Sequence, residues 1–102
     1  MYIRYIFAMP DPTYRWNEEK NAELLATRGL SFEAIESAIE DGKLLDDIPH
    51  PNPSKFPGQR MLIVRVGDQV CVVPYVVDGE TRFLKTIYPS RKAKRTYAGA
   101  YL

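Results

Sequence analysis

Three cations stand at positions where a small protein can use them on a phosphate. Lys85 lies in the last strand-like stretch, Arg91 opens the last helical stretch, and Arg60 opens the first strand of a three-strand run. A phosphodiester that becomes a phosphorane gains negative charge, and fixed cations stabilise that charge without a metal. In RNA the 2′-hydroxyl is a built-in nucleophile. An enzyme acting there needs only a base, a proton donor and cations around the phosphate. Glu80, His50, Lys85 and Tyr88 can each handle a proton, and the sequence does not choose among them. His50 is the only histidine, with an ordinary pKa of about 6.5. Tyr88 and Tyr75 offer faces on which bases can stack. Lys92, Lys94 and Arg95 extend the cationic run and suit an RNA backbone.

Other chemistries find little support. There is no glycine-rich phosphate loop, no pair of histidines for a metal, and no serine or cysteine in a nucleophile motif. The single cysteine, Cys71, excludes an intramolecular disulfide, a CxxC motif and a cysteine-built zinc site. Asp46 and Asp47 are adjacent, and neighbours in a strand point to opposite faces, which argues against a shared dinuclear site. The expectation is an activity with no metal and no cofactor.

The elements that must hold these residues fit one small domain of 102 residues, 45% apolar and 26% charged. A chain of this size buries roughly two-thirds of its unfolded surface, enough for one modest core. The longest uncharged apolar stretch near the start, Tyr5–Pro10, falls far short of the ~20 residues that span a bilayer. It also lacks the form of a signal peptide. A cytoplasmic protein with no membrane partner is expected.

The net charge of +1 hides a segregation. Residues 17–50 carry nine acids against three bases, whereas residues 81–102 carry six bases and no acid. A basic end without interspersed acids suits a nucleic acid or an acidic partner.

Tyr2–Met9 reads as a strand, ended by Pro10-Asp11-Pro12, and residues 1–13 form an N-terminal extension. That strand could pair with its copy and build a homodimer. Tyr14 and Trp16 alternate around Arg15 as in a very short strand. Asn17 reads as a helix N-cap, with Glu18 and Glu19 in the first turn and Gly29 at the end. Ser31 caps a second helix, on which Phe32, Ile35 and Ile39 share a face until Asp41-Gly42. Four prolines make residues 48–58 a stiff loop. A meander follows: Arg60–Val66, Gln69–Val77 and Thr81–Tyr88, the last two joined at Asp78-Gly79. Alternation sets Lys85 on one face with Phe83 and Ile87. Pro74 calls for a bulge or an edge. Ser90 caps a last short helix from Arg91 to about Tyr97, and residues 98–102 form a tail. The order gives an α+β fold: two N-terminal helices, an antiparallel β-meander of three or four strands, and a short C-terminal helix.

Three segments together resemble a known family. Tyr14-Arg15-Trp16-Asn17-Glu18-Glu19-Lys20 resembles the opening of BrnT-type toxins, where an aromatic-x-Trp-Asp strand end leads into a helix with an early lysine. Arg28-Gly29-Leu30-Ser31-Phe32-Glu33 resembles their Gly-Val/Ile-Ser-Phe-Glu, and Tyr88-Pro89-Ser90-Arg91-Lys92-Ala93 their Ile-Ser-Ala-Arg-x-Ala. The matches fall in the family's order and span about residues 14–97. The chain departs from the pattern at Thr27-Arg28, where members carry Lys-His, and at Lys85, one residue before the family's strand arginine. The resemblance implies a fold of the RelE/ParE toxin superfamily and a metal-independent ribonuclease that arrests growth. It implies RNA contact through Lys20, a cognate antitoxin, and operator DNA bound only through that antitoxin. The alternative is a toxin-like fold without catalysis, holding nucleic acid or a protein through its basic end.

Overall fold

The computed structural model describes residues 12–101, so the Tyr2–Met9 strand lies outside the described residues. The elements run β1 (Thr13–Trp16), α1 (Glu18–Arg28), α2 (Phe32–Glu40), β2 (Leu44–Pro49), β3 (Gln59–Val66), β4 (Gln69–Asp78), β5 (Thr81–Leu84), β6 (Tyr88–Pro89) and α3 (Arg91–Thr96), then a 3₁₀ turn at Ala98–Tyr101. The result is a small α+β domain, three helices on one mixed sheet.

Local chemistry starts and stops the helices. Asn17 accepts the Lys20 N–H, Ser31 that of Ala34 and Ser90 that of Ala93, each filling one of the donors a helix start leaves open. Gly29 ends α1 at φ 67°, a conformation in which a side chain would be strained. The turn into α2 is fixed by Asn21, the one buried polar residue among those described. Its carbonyl accepts the Phe32 N–H at 2.8 Å and its amide donates to Glu33 at 2.6 Å. That hydrogen bond holds the Glu33 carboxyl below its usual range. Asn21→Ala would leave the buried Phe32 N–H without a partner. It is expected to cost about 1–3 kcal/mol, read from urea unfolding.

The sheet order is β1-β5-β4-β3-β2, with β6 also on β4. Three features differ from the sequence reading. First, the short strand expected around Tyr14 and Trp16 is β1 and forms one edge of the sheet, so α1 and α2 do not stand ahead of a separate meander but form the connection from one sheet edge to the other. Second, the sheet is not purely antiparallel, because β1 pairs parallel to β5 from Thr13↔Thr81 to Trp16↔Leu84. Third, Leu44–Pro49 is a strand, β2, antiparallel to β3 with a bulge between Leu44 and Asp46. The proline-rich loop is accordingly shorter than residues 48–58 and begins after Pro49.

The expected last strand, Thr81–Tyr88, is also broken. β5 ends at Leu84, and the chain rejoins β4 only at Tyr88↔Val72. Pro74 sits at this break. Its carbonyl accepts the Lys85 N–H at 2.8 Å. In an antiparallel strand the N–H and C=O of one residue face the same side. The donor that proline lacks would therefore point where the ladder is already interrupted. No bulge is needed on the β3 side, where pairing is continuous.

Two cores follow from strand alternation. On one face Leu62, Val64, Cys71, Val73, Tyr75 and Leu84 meet Leu24, Phe32 and Ile35 of the helices. Trp16 joins them, its ring stacked on Phe32 with centroids 5.5 Å apart. On the other face Met61, Ile63, Val70 and Val72 meet Ala93 of α3. Among the described residues no helix is long and apolar enough to cross a membrane.

Candidate anion-binding centre

The outer end of the α1/α2 face is polar. Register pairs Arg60 with Tyr75 and Tyr75 with Leu84, so Arg60, Tyr75 and Arg82 (two residues before Leu84) share this face. Asp47, opposite Leu62, joins them from β2. Four neighbouring strands thus each place one functional group in a single cluster.

The carboxylate is its hub. The Tyr75 hydroxyl lies 2.7 and 2.8 Å from the two Asp47 oxygens, to which it donates. Arg60 donates from Nε to Asp47 Oδ1 and from Nη2 to the Asp47 carbonyl, both at 3.1 Å. The Arg82 guanidinium lies over the Tyr75 ring, 5.4 Å from its centroid, and approaches Asp47 only to 3.8 Å. The side chains of Arg60, Asp47 and Arg82 keep 41%, 28% and 28% of their exposure, whereas Tyr75 is buried beneath them. Burial, and then the hydrogen bond to Asp47, push the Tyr75 hydroxyl above its ordinary range, so it remains a donor at neutral pH. The same carboxylate, through its hydrogen bond, raises the Arg60 guanidinium further.

The remaining cations are elsewhere. Arg91, Lys92, Lys94 and Arg95 are exposed on α3, which covers the opposite face. Arg91 and Lys94 line an open groove of about 420 Å³ with Asp68, Gln69, Pro89 and Ser90. Tyr75 lies six residues along β4 from Gln69, about 20 Å at strand rise. Lys85 is exposed, its ammonium 5.5 Å from the Phe83 ring centroid. Because β5 stops at Leu84, Ile87 turns into the helix-side core, so the expected Phe83–Lys85–Ile87 face is not formed. His50 is half-buried against Phe56, and its Nδ1 accepts the Asn52 N–H at 3.0 Å. Glu80 is exposed in the β4–β5 turn, and its carbonyl accepts the Thr13 N–H. Lys20 pairs with Glu23 at 3.4 Å. Tyr88 is 38% exposed on β6. The structure therefore does not gather Lys85, Arg91, Arg60, His50 and Glu80 into one centre. Arg60 instead meets Asp47, Tyr75 and Arg82, three residues not assigned to a centre from the sequence. Among the described residues no group of three His, Cys, Asp or Glu side chains could hold a metal ion.

Comparison with known proteins finds no match: no family model, no curated protein and no solved structure. The chemistry of the cluster must carry the functional reading by itself.

The adjacent Asp46 points to the other face. It accepts the Tyr97 hydroxyl at 2.7 Å and the Asp47 N–H at 2.8 Å. The Tyr97 contact and then that N–H hold its carboxyl below the usual range. The pair ties the segment after α3 to β2. A carboxyl lowered in the fold stabilises it above the unfolded pKa, about 3.9, and that contribution disappears as pH falls through the folded value. Tyr97→Phe should therefore be less stable than the parent at neutral pH and converge with it in acid. Urea midpoints across a pH series would show the two curves meeting. Cys71, by contrast, is buried and its thiol is pushed up to about 11, which marks it as a packing residue.

Proposed function

We propose that this chain is the toxin component of a type II toxin–antitoxin system, a metal-independent ribonuclease with a fold of the RelE/BrnT kind. One observation carries the reading: Arg60 and Arg82, from the strands flanking β4, converge on one partly exposed carboxylate above Tyr75. Two fixed guanidiniums stabilise the charge that grows on a phosphodiester under attack. Asp47 is the base in this reading. It takes the proton of the 2′-hydroxyl, whose oxygen forms a bond to phosphorus while the bond to the 5′-oxygen breaks and that oxygen leaves as a hydroxyl with a proton from water. Tyr75, too buried to reach substrate, holds Asp47 in place. Lys92, Lys94, Arg95 and Arg91 give the RNA a cationic surface. The toxin acts in the cytoplasm, and a cognate antitoxin neutralises it and supplies the contact with operator DNA.

A second reading has its own observation. Lys85 just after β5, Arg91 on α3 and Arg60 on β3 lie apart from one another, which favours a module that binds nucleic acid or a protein through its basic C-terminal region without cleaving.

The two separate on labelled RNA incubated in EDTA. The ribonuclease yields 2′,3′-cyclic phosphate ends and spares a strand carrying a single 2′-deoxy residue at the cut. Binding without any cleavage, by folded protein free of antitoxin and with ribosomes also supplied, would leave the second reading.

A further inference from the structure

We infer that Asp47 is an internal counter-anion, and that a singly charged phosphodiester replaces it at Arg82. Identifying the anion as a phosphodiester rests on the ribonuclease reading; the site itself does not.

Arg82 holds unspent donors. A guanidinium has five N–H groups in a planar fork. Two of those of Arg60 are turned onto Asp47, one to its carboxylate and one to its carbonyl. Arg82 makes no hydrogen bond among the described residues; it has only the 3.8 Å approach to Asp47 and the face of Tyr75. Its side chain is nevertheless mostly covered, which fixes its position. A guanidinium held over an aromatic ring with its donors unused is prepared for a planar or tetrahedral oxyanion.

Charge makes the choice of anion. Two arginines and one carboxylate leave the cluster at +1, which one phosphodiester balances and a dianion would exceed. Geometry shows how room is made. Asp47 is gripped at hydrogen-bond distance by Tyr75 and Arg60 but only loosely by Arg82. It can give up the long contact and keep the short ones. The incoming phosphate oxygens then take the Arg82 fork, and Asp47 stays within reach of the reacting group.

The consequence separates binding from cleavage. Asp47→Asn keeps an oxygen for the Tyr75 hydroxyl and removes the competing charge. With a 2′-O-methyl oligoribonucleotide, which cannot be cut, fluorescence anisotropy should show about tenfold tighter binding by Asp47→Asn than by the parent. Arg82→Ala in the same background should cancel the gain. Equal or weaker binding by folded Asp47→Asn would overturn the inference. If that variant does not fold, the parent decides. Dimethyl phosphate, a singly charged phosphodiester, should move the Arg82 Nε–H resonance in a saturable way, and an unmoved resonance would overturn the inference. Tighter binding by Asp47→Asn with no cleavage by any form would refute the ribonuclease and leave the anion site standing.

Discussion

Arg82→Ala is expected to lower RNA cleavage by about 10²–10³-fold, the usual loss when one preorganised donor to a developing oxyanion is removed. Its fold should survive. Arg82 lies in a short strand whose backbone pairing the substitution leaves in place, and its side chain contributes no hydrogen bond to the described structure. Arg82→Lys should recover only part of the activity, because an ammonium keeps the charge but loses the fork. The measurement is the single-turnover rate on saturating labelled RNA in EDTA, so that weaker binding does not pass for slower chemistry. Arg91→Ala is the informative companion. Arg91 is on α3, which covers the opposite face, and lines a groove with Gln69, which lies about 20 Å along β4 from Tyr75. Loss of cleavage in Arg91→Ala with full activity in Arg82→Ala would move the reaction to the α3 face. It would also remove Asp47 as its base.

Tyr75, expected to offer a face to bases, is instead buried under Arg82 and supports Asp47, and Arg82 lies beside it on a face that the sequence already sets. The two turns that set the register, Gly67-Asp68 and Asp78-Gly79, are both readable, and the pairs Val66↔Gln69 and Asp78↔Thr81 follow from them. Alternation from those pairs already puts Arg60, Tyr75 and Arg82 on one face. What was missing was the hub. Asp47 lies in β2, where Leu44-Leu45-Asp46-Asp47-Ile48 shows no polar–apolar alternation, because a bulge shifts its register. Both sides of β2 are also covered, with Tyr97 serving one aspartate and Tyr75 the other. A strand with a buried-polar demand on each face has no period-2 signature.

The caps show the opposite case. Asn17, Ser31 and Ser90 act on the backbone within three residues, so the local sequence suffices to read them. Long-range pairing does not work that way. The parallel pairing of β1 with β5 joins residues nearly seventy positions apart, and nothing in Thr13–Trp16 names its partner. Lys85 was misplaced for a similar reason. Its expected face required β5 to continue past Leu84, but Pro74 denies the next donor and the strand stops.

Neutralising the α3 cations should have the largest effect on affinity. Arg91, Lys92, Lys94 and Arg95 are exposed, and residues 81–102 contain no acid to offset them. Each phosphate contact with a single strand adds about 0.7 to the slope of log K against log salt. If all four reach phosphates, they contribute a slope of about 2.8. Raising salt from about 50 to about 200 mM would then cost the parent about 50-fold through α3 alone. Replacing the four by glutamine should remove that part of the slope and weaken binding at low salt, with the unfolding midpoint little changed. Filter binding of an uncleavable oligonucleotide across a salt series reads both quantities. An unchanged slope would mean that the RNA does not touch α3, and that the cations there serve an acidic protein partner. A flattened slope combined with intact single-turnover cleavage at saturation would divide the molecule in two: one face to hold the strand and the other to cut it. Because the two surfaces lie on opposite faces of one sheet, a single strand would have to pass around an edge to engage both. Substrates long enough to do so should then bind more tightly than short ones by a margin that disappears in the α3 variant.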